Sequence, residues 1–137
     1  MPPASIAIVV YEGFDELDAI GPYEILSNLD RVGADVSVRL VTMAPAESVT
    51  ASHGLTVVPD GTLDPDAVDL LVVPGGGWND RAAAGAWAEA QAGDLPAAMT
   101  EAMGAGATLA TVCTGGMLAA AAGLTDGRPA VTHQGAV

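Results

Sequence analysis

Cys113 is the only cysteine of the chain, and its neighbours make it a candidate nucleophile. The run Thr108-Leu109-Ala110-Thr111-Val112-Cys113-Thr114-Gly115-Gly116 leads an apolar strand straight into the thiol, then into small residues able to open a helix. This is the pattern of a nucleophile elbow, where a sharp strand-to-helix turn pushes the reactive side chain clear of the sheet. Small residues at Thr111 and Gly115 let the chain bend, and the first N–H groups of the following helix point at the sulfur. Those features predict a thiol pKa below its ordinary value of about 8.5. The competing reading is a buried structural cysteine, common for this residue type. The strand-end position and the Gly-Gly beyond it favour the functional reading.

A second chemical feature is Pro74-Gly75-Gly76-Gly77-Trp78, which stops another apolar run. Glycines accept unusual backbone angles and close approach, so the N–H groups of Gly75 and Gly76 can face a developing anion. A phosphate loop is excluded, since neither a Gly-Lys-Ser/Thr ending nor a Gly-x-Gly-x-x-Gly fingerprint is present. Any tight turn can use three glycines, so the motif gains meaning only beside the cysteine elbow. Asp15, Glu16 and Asp18 cluster early, and a solvated helix start is the default reading for such acids. Asp18 stands apart because Ala19-Ile20-Gly21-Pro22 follow it, which predicts a partly desolvated carboxyl able to give or take a proton. His53 reads as a surface turn residue, and His133, just past Val131-Thr132, can approach Cys113. Two separated histidines make no metal site.

The elements that must position these groups alternate between strand and helix. Ser5–Val10, Val36–Met43, Val68–Val73 and Ala107–Val112 read as strands, the first and third as continuous apolar runs of the buried parallel kind. Val49–Ser52 and Leu55–Val58 flank His53-Gly54 as a small hairpin, with a loop over Pro59–Pro65. The helical stretches are one carrying Leu17, Ile20, Ile25, Leu26 and Leu29, with a break or kink at Gly21-Pro22, and Asp80–Ala92, Leu95–Met103 and Gly116–Ala122, the last closed by Gly123. Pro129–Thr132 is expected to begin a last strand. The sum is an α/β fold with a mostly parallel sheet, whose ligands belong at the carboxyl ends of the strands.

Length and charge bound the partners. The chain has 137 residues, half of them apolar and 15% charged, which predicts one folded domain over residues 1–137. Seventeen acids face four bases, all arginine, for a net charge of −13 with no lysine. Such a surface repels nucleic acid and anionic lipid, so neither is expected as a partner. It also self-repels at low ionic strength, which suggests a cytoplasm of very high salt. The uncharged stretch Ala102–Thr125 is long enough to span a bilayer, yet its glycines and threonines fit a strand, a turn and a short helix better. The Met-Pro-Pro-Ala-Ser start has no basic region, so no secretory signal is read, and the expectation is a reduced, cytoplasmic, soluble protein.

Asp18-Ala-Ile-Gly-Pro22, Pro74-Gly-Gly, Val112-Cys113-Thr114-Gly115 and Thr132-His133 together resemble the ThiJ/PfpI family of the type 1 glutamine amidotransferase-like fold. The Asp-x-x-Gly-Pro and Cys-Thr-Gly combination is most similar to its isonitrile hydratase branch. The resemblance implies a flavodoxin-like doubly wound sheet with helices on both faces, a homodimer and no cofactor. It implies Cys113 as nucleophile, Asp18 as its carboxylate partner, the N–H groups of Gly76 and Thr114 as oxyanion donors, and His133 at the site's edge. Family domains continue with further strands and a helix beyond the point where this sequence stops, so the C-terminal part of the domain is expected to be absent. Gln134 follows His133 where the hydratase often has an aromatic.

Two functions of different class follow. In the first, Cys113 attacks a small electrophilic carbon, Asp18 shuttles the proton and water completes a hydration or hydrolysis. An isonitrile would give an N-substituted formamide. In the second, Cys113 is oxidised reversibly, or a ligand binds beside it, with no turnover. Protease or amidase chemistry is weaker, for lack of a firm third triad member.

Overall fold

Strands that are apolar on both faces need cover on both faces, and that requirement organises the chain. The computed structural model describes residues 2–136. The central strands are β1 (Ala4–Val9), β2 (Val36–Thr42), β6 (Leu70–Val73) and β7 (Thr108–Thr111). A two-residue strand β5 (Gly61–Thr62) joins them to give a fully parallel sheet in the order β5-β2-β1-β6-β7. Between β2 and β5 lies the hairpin of β3 (Val49–Thr50) and β4 (Thr56–Val57), antiparallel and outside the main sheet. The helices are α1 (Glu16–Ser27), α2 (Ala86–Ala92), α3 (Asp94–Gly104) and α4 (Gly115–Ala121). Short 3-10 turns follow at Asn28–Val32 and Gln134–Ala136.

Ile8, Val9, Leu71 and Val73 are wholly buried in the sheet, with Phe14, Leu95, Met99 and Leu118 covering it. Each such side chain stabilises the fold by about 1.5–3 kcal/mol. The chain leaves β1 for β2 on one side and later returns to β6 on the other, so β1 and β6 flank the point where strand order reverses. Crevices open at the carboxyl ends of strands at such a point. Tyr11, Gly75 and Cys113 lie two residues past the carboxyl ends of β1, β6 and the neighbouring β7.

The structure corrects the sequence reading in several places. The helix expected over Asp80–Ala92 begins only at Ala86, because Gly85 at φ 140° and Arg81 at φ 49° lie outside helical geometry. The expected break at Gly21-Pro22 is absent: α1 runs through Pro22, which forgoes only the hydrogen bond that its missing N–H would have made. Pro129–Thr132 forms no strand. Pro129 has no N–H for a ladder, and the segment is held instead by the Thr132 hydroxyl, which donates to the Cys113 carbonyl at 2.9 Å. Gly61–Thr62, read as loop, pairs with β2. No helix among the described residues is long and apolar enough to cross a membrane.

Candidate active site

Val112 donates its N–H to the Val73 carbonyl at 3.0 Å, extending the β6–β7 ladder to the residue before the thiol. The chain then turns, and Cys113 adopts φ 53°. A non-glycine residue there costs about 1–3 kcal/mol and persists only where its surroundings hold it. The Cys113 carbonyl supplies that hold by accepting from the Gly116 N–H at 3.2 Å and from the Thr132 hydroxyl. Gly115 must be glycine, since a Cβ would run into the Val73 carbonyl. The thiol is exposed at the top of the turn.

Asp18 lies in the first turn of α1 and is only 9% exposed. Its Oδ2 accepts the Gly75 N–H at 3.1 Å, while the Asp15 N–H donates to the Gly75 carbonyl at 2.7 Å. The glycine loop is thus fastened on both sides to the start of α1. Gly76, at φ 125°, donates its N–H to the Thr114 hydroxyl at 2.9 Å and accepts from the Ala86 N–H at 2.6 Å. The two glycine amides assigned to an oxyanion are therefore occupied here, Gly75 by a carboxylate and Gly76 by a hydroxyl. The Thr114 N–H, which finds no backbone acceptor among the described residues, favours the thiolate of Cys113.

The electrostatics overturn one expectation. Burial pushes the Cys113 thiol above its ordinary pKa and the charges of Asp18 and Asp15 push it further, against the backbone N–H and hydroxyl of Thr114. The helix that was to favour thiolate is only seven residues long, and the Thr114 groups at its start do not reverse the direction set by the partial desolvation of the sulfur and by the two acids. Asp18 is also raised, first by burial and then by Asp15, with the Gly75 N–H pulling the other way. Thiol and carboxyl therefore both hold their protons more tightly than isolated groups.

A cleft of about 260 Å³ opens beside Cys113 and Thr114, walled by Gly76, Trp78, Asp80 and His133. Neither Asp18 nor Gly75 lines this cleft; Asp18 lies behind the glycine loop and acts on Cys113 through its charge. His133 is exposed; its Nδ1 accepts the Gly135 N–H at 3.0 Å and lies 3.4 Å from Asn79 Nδ2. The structure thus brings Cys113, Thr114, Gly76 and His133 around one cleft, with Gly75 and Asp18 directly behind. His53 lies elsewhere, paired with Glu16 at 2.6 Å. Sequence reasoning missed Tyr11. Its buried hydroxyl donates to the Pro74 carbonyl at 2.5 Å, fixing the loop one residue before Gly75. The available signal was a polar-tipped aromatic at a strand end, in a chain with just 4% aromatics. Among the described residues no group of three or more His, Cys, Asp or Glu side chains is placed to hold a metal ion.

A strand-end cysteine strained into positive φ beside a glycine loop is a constellation that can be compared with known proteins. The DJ-1/PfpI family model matches residues 4–136. The chain belongs to this family. It is 35% identical over 132 residues to an uncharacterized protein in the cpoL 5' region of Streptomyces lividans, covering 96% of this chain and 88% of that one. It is 34% identical over 131 residues to the isonitrile hydratase of Pseudomonas putida, covering 93% of this chain and 51% of the hydratase. Among solved structures, a ThiJ/PfpI family protein from Pseudomonas syringae matches with a TM-score of 0.72 at 27% identity, over 90% of this chain and 48% of that one. This family member therefore spans about half the length of the hydratase and of that crystallised relative.

Proposed function

We propose that the chain is a cysteine-dependent enzyme that hydrates or hydrolyses a small electrophile, with an isonitrile as the first candidate substrate. The observation that carries the reading is the elbow: Cys113 held at φ 53° over an open cleft, with an acid of raised pKa behind it. Strain of that kind collects where a side chain must be presented at a fixed place. In this reading the Cys113 sulfur bonds to the terminal isonitrile carbon, and that carbon takes a proton supplied by way of Asp18, giving a thioimidate. Water then adds across the C=N bond, the C–S bond breaks with return of the proton to the thiol–carboxyl pair, and an N-substituted formamide leaves. Thr114 contributes the N–H beside the reacting sulfur. The 34% identity to an isonitrile hydratase supports the substrate choice.

The second reading, a redox sensor, is favoured by the exposure of Cys113. The raised thiol pKa weighs equally on both readings, because peroxide and an electrophilic carbon alike react with the thiolate. Formamide production from a panel of small isonitriles, measured beside peroxide oxidation rates for the native chain and Cys113→Ser, tests both. Turnover lost in Cys113→Ser supports the enzyme. Rapid reversible oxidation with no turnover on any isonitrile would replace it with the sensor.

A further inference from the structure

The walls of the Cys113 cleft include two carboxylates, Asp15 and Asp80, and neither Lys nor Arg. Asp15 is oriented by the Leu17 N–H, which its Oδ1 accepts at 3.1 Å, and its charge is felt at both Asp18 and Cys113. Asp80 is exposed in the turn after Trp78 and Asn79. The His133 ring is tied back to its own turn, where its Nδ1 accepts the Gly135 N–H at 3.0 Å. The arginine nearest in sequence, Arg81, has its guanidinium 4.7 Å from the centroid of the Trp87 ring. Arg31 lies in the 3-10 turn after α1, Arg39 on β2 beside Asp60, and Arg128 on a different cavity. The neutral wall is Trp78, packed edge-on against Trp87 with centroids 5.2 Å apart, and Asn79.

We infer that the Cys113 cleft is a charge filter that admits cationic and uncharged small electrophiles and turns away anionic ones, with Asp15 and Asp80 as the specificity-determining residues. The inference rests on the reading of this cleft as the place where the electrophile meets Cys113. A low-dielectric wall with one sign of charge concentrates ligands of the opposite sign and depletes those of its own. Two carboxylates within a few ångströms of an entering group separate matched cation and anion by about tenfold at low ionic strength.

The test uses three methanethiosulfonates of one reaction type: trimethylammonioethyl, methyl and sulfonatoethyl. In each, the Cys113 thiolate attacks the sulfenyl sulfur, a disulfide forms and methanesulfinate leaves. Rates on the native chain, divided by the rates on 2-mercaptoethanol, should fall from cation to neutral to anion, with about tenfold or more between the extremes. Molar potassium chloride, which shortens the screening length to about 3 Å, should shrink that spread towards unity. Asp80→Asn should cut it severalfold, and since Asp80 is exposed the fold tolerates the change. Asp30→Asn lies beyond the far end of the twelve-residue α1, about 18 Å away along the helix, and should leave the spread alone. A normalised spread of one on the native chain would overturn the filter, and so would an equal loss in Asp80→Asn and Asp30→Asn, which would assign the effect to net charge. Failure of isonitrile turnover would overturn the proposed reaction while leaving this order of thiol modification as measured.

Discussion

The first turn of α1 carries two carboxylates with opposite fates. Glu16 faces outward to the β3–β4 hairpin, where Oε1 accepts the His53 N–H at 2.6 Å and Oε2 meets the His53 ring at 2.6 Å and the Ser52 hydroxyl at 3.3 Å. Desolvation pushes its pKa up, but the donors of His53 win and bring it to about 2. Asp18, two residues on, faces inward with the single N–H of Gly75 as donor, and burial wins, raising its pKa. One acid is locked as an anion and ties loop to helix. The other, buried behind the glycine loop, holds its proton more tightly than a free carboxyl. The supply of hydrogen-bond donors, set against burial, decides which carboxyl can do acid–base work.

The sharpest way to break this comparison is to neutralise each acid in turn. Asp18→Asn keeps an acceptor for the Gly75 N–H and removes the transferable proton, so turnover should fall about 100- to 10,000-fold. Cys113 should remain alkylatable, and its iodoacetamide profile should move to lower pH, since the Asp18 charge is one of the forces holding the thiol up. Glu16→Gln should leave turnover near native. Comparable losses in the two variants would show that the inward and outward acids do not divide the work in this way.

Gly75→Ala strikes the inner side without touching charge. A Cβ at Gly75 would stand 2.6 Å from the Thr114 nitrogen and closer still to its hydroxyl, so the loop must retreat from the elbow. Overpacking of this kind costs about 1–3 kcal/mol, read as a lower melting temperature, and turnover should fall with it. Tyr11→Phe is subtler, because shape is kept and only the Pro74 carbonyl loses its partner. A buried acceptor left unsatisfied costs about 1–3 kcal/mol. If Tyr11 positions the loop for Asp18, the pH dependence of alkylation at Cys113 should also shift. A lower melting temperature with an unmoved profile would reduce Tyr11 to a structural role.

How much of this was legible follows from how local each feature is. The elbow is a contiguous run from β7 to α4, so Cys113 could be found from neighbouring residues alone. β1, β6 and the parallel sheet were readable as apolar runs punctuated by glycine and proline. Asp80–Gly85 misled because alanine-rich composition reads as helix, whereas backbone angles at Arg81 and Gly85 decide otherwise. The Tyr11–Pro74 and Gly76–Thr114 bonds join residues 63 and 38 positions apart, and neither partner's local sequence announces the other. The direction of the Cys113 shift depends on burial and on Asp15 and Asp18, which only the fold brings near. A local reading of the helix start therefore gave the wrong sign.

The smallest expected effect belongs to the outer acid and can be isolated by pH and salt together. Glu16 has a lowered folded pKa, so its contribution is present above the ordinary value of 4.5 and is lost as pH falls towards about 2. His53 is raised, first by the Glu16 hydrogen bond and then by its charge, so its contribution is present below 6.5 and is lost as pH rises through the folded value. Both act fully between about pH 4.5 and 6.5. The His53 side chain is 79% exposed, so His53→Ala should lower the melting temperature by only about 1–3 °C in that window, and not at all well above it. Molar potassium chloride should shrink this difference by screening the pair. The same salt should raise the melting temperature of both chains, because seventeen acids against four bases repel one another until screened. Opposite responses to salt, a stabilised whole and a weakened pair, are the expected signature. A difference that ignored both pH and salt would mean that the hairpin is held by its backbone bonds, chiefly Gly13 N–H to the Thr50 carbonyl and Ser52 N–H to the Phe14 carbonyl, with the ion pair adding nothing.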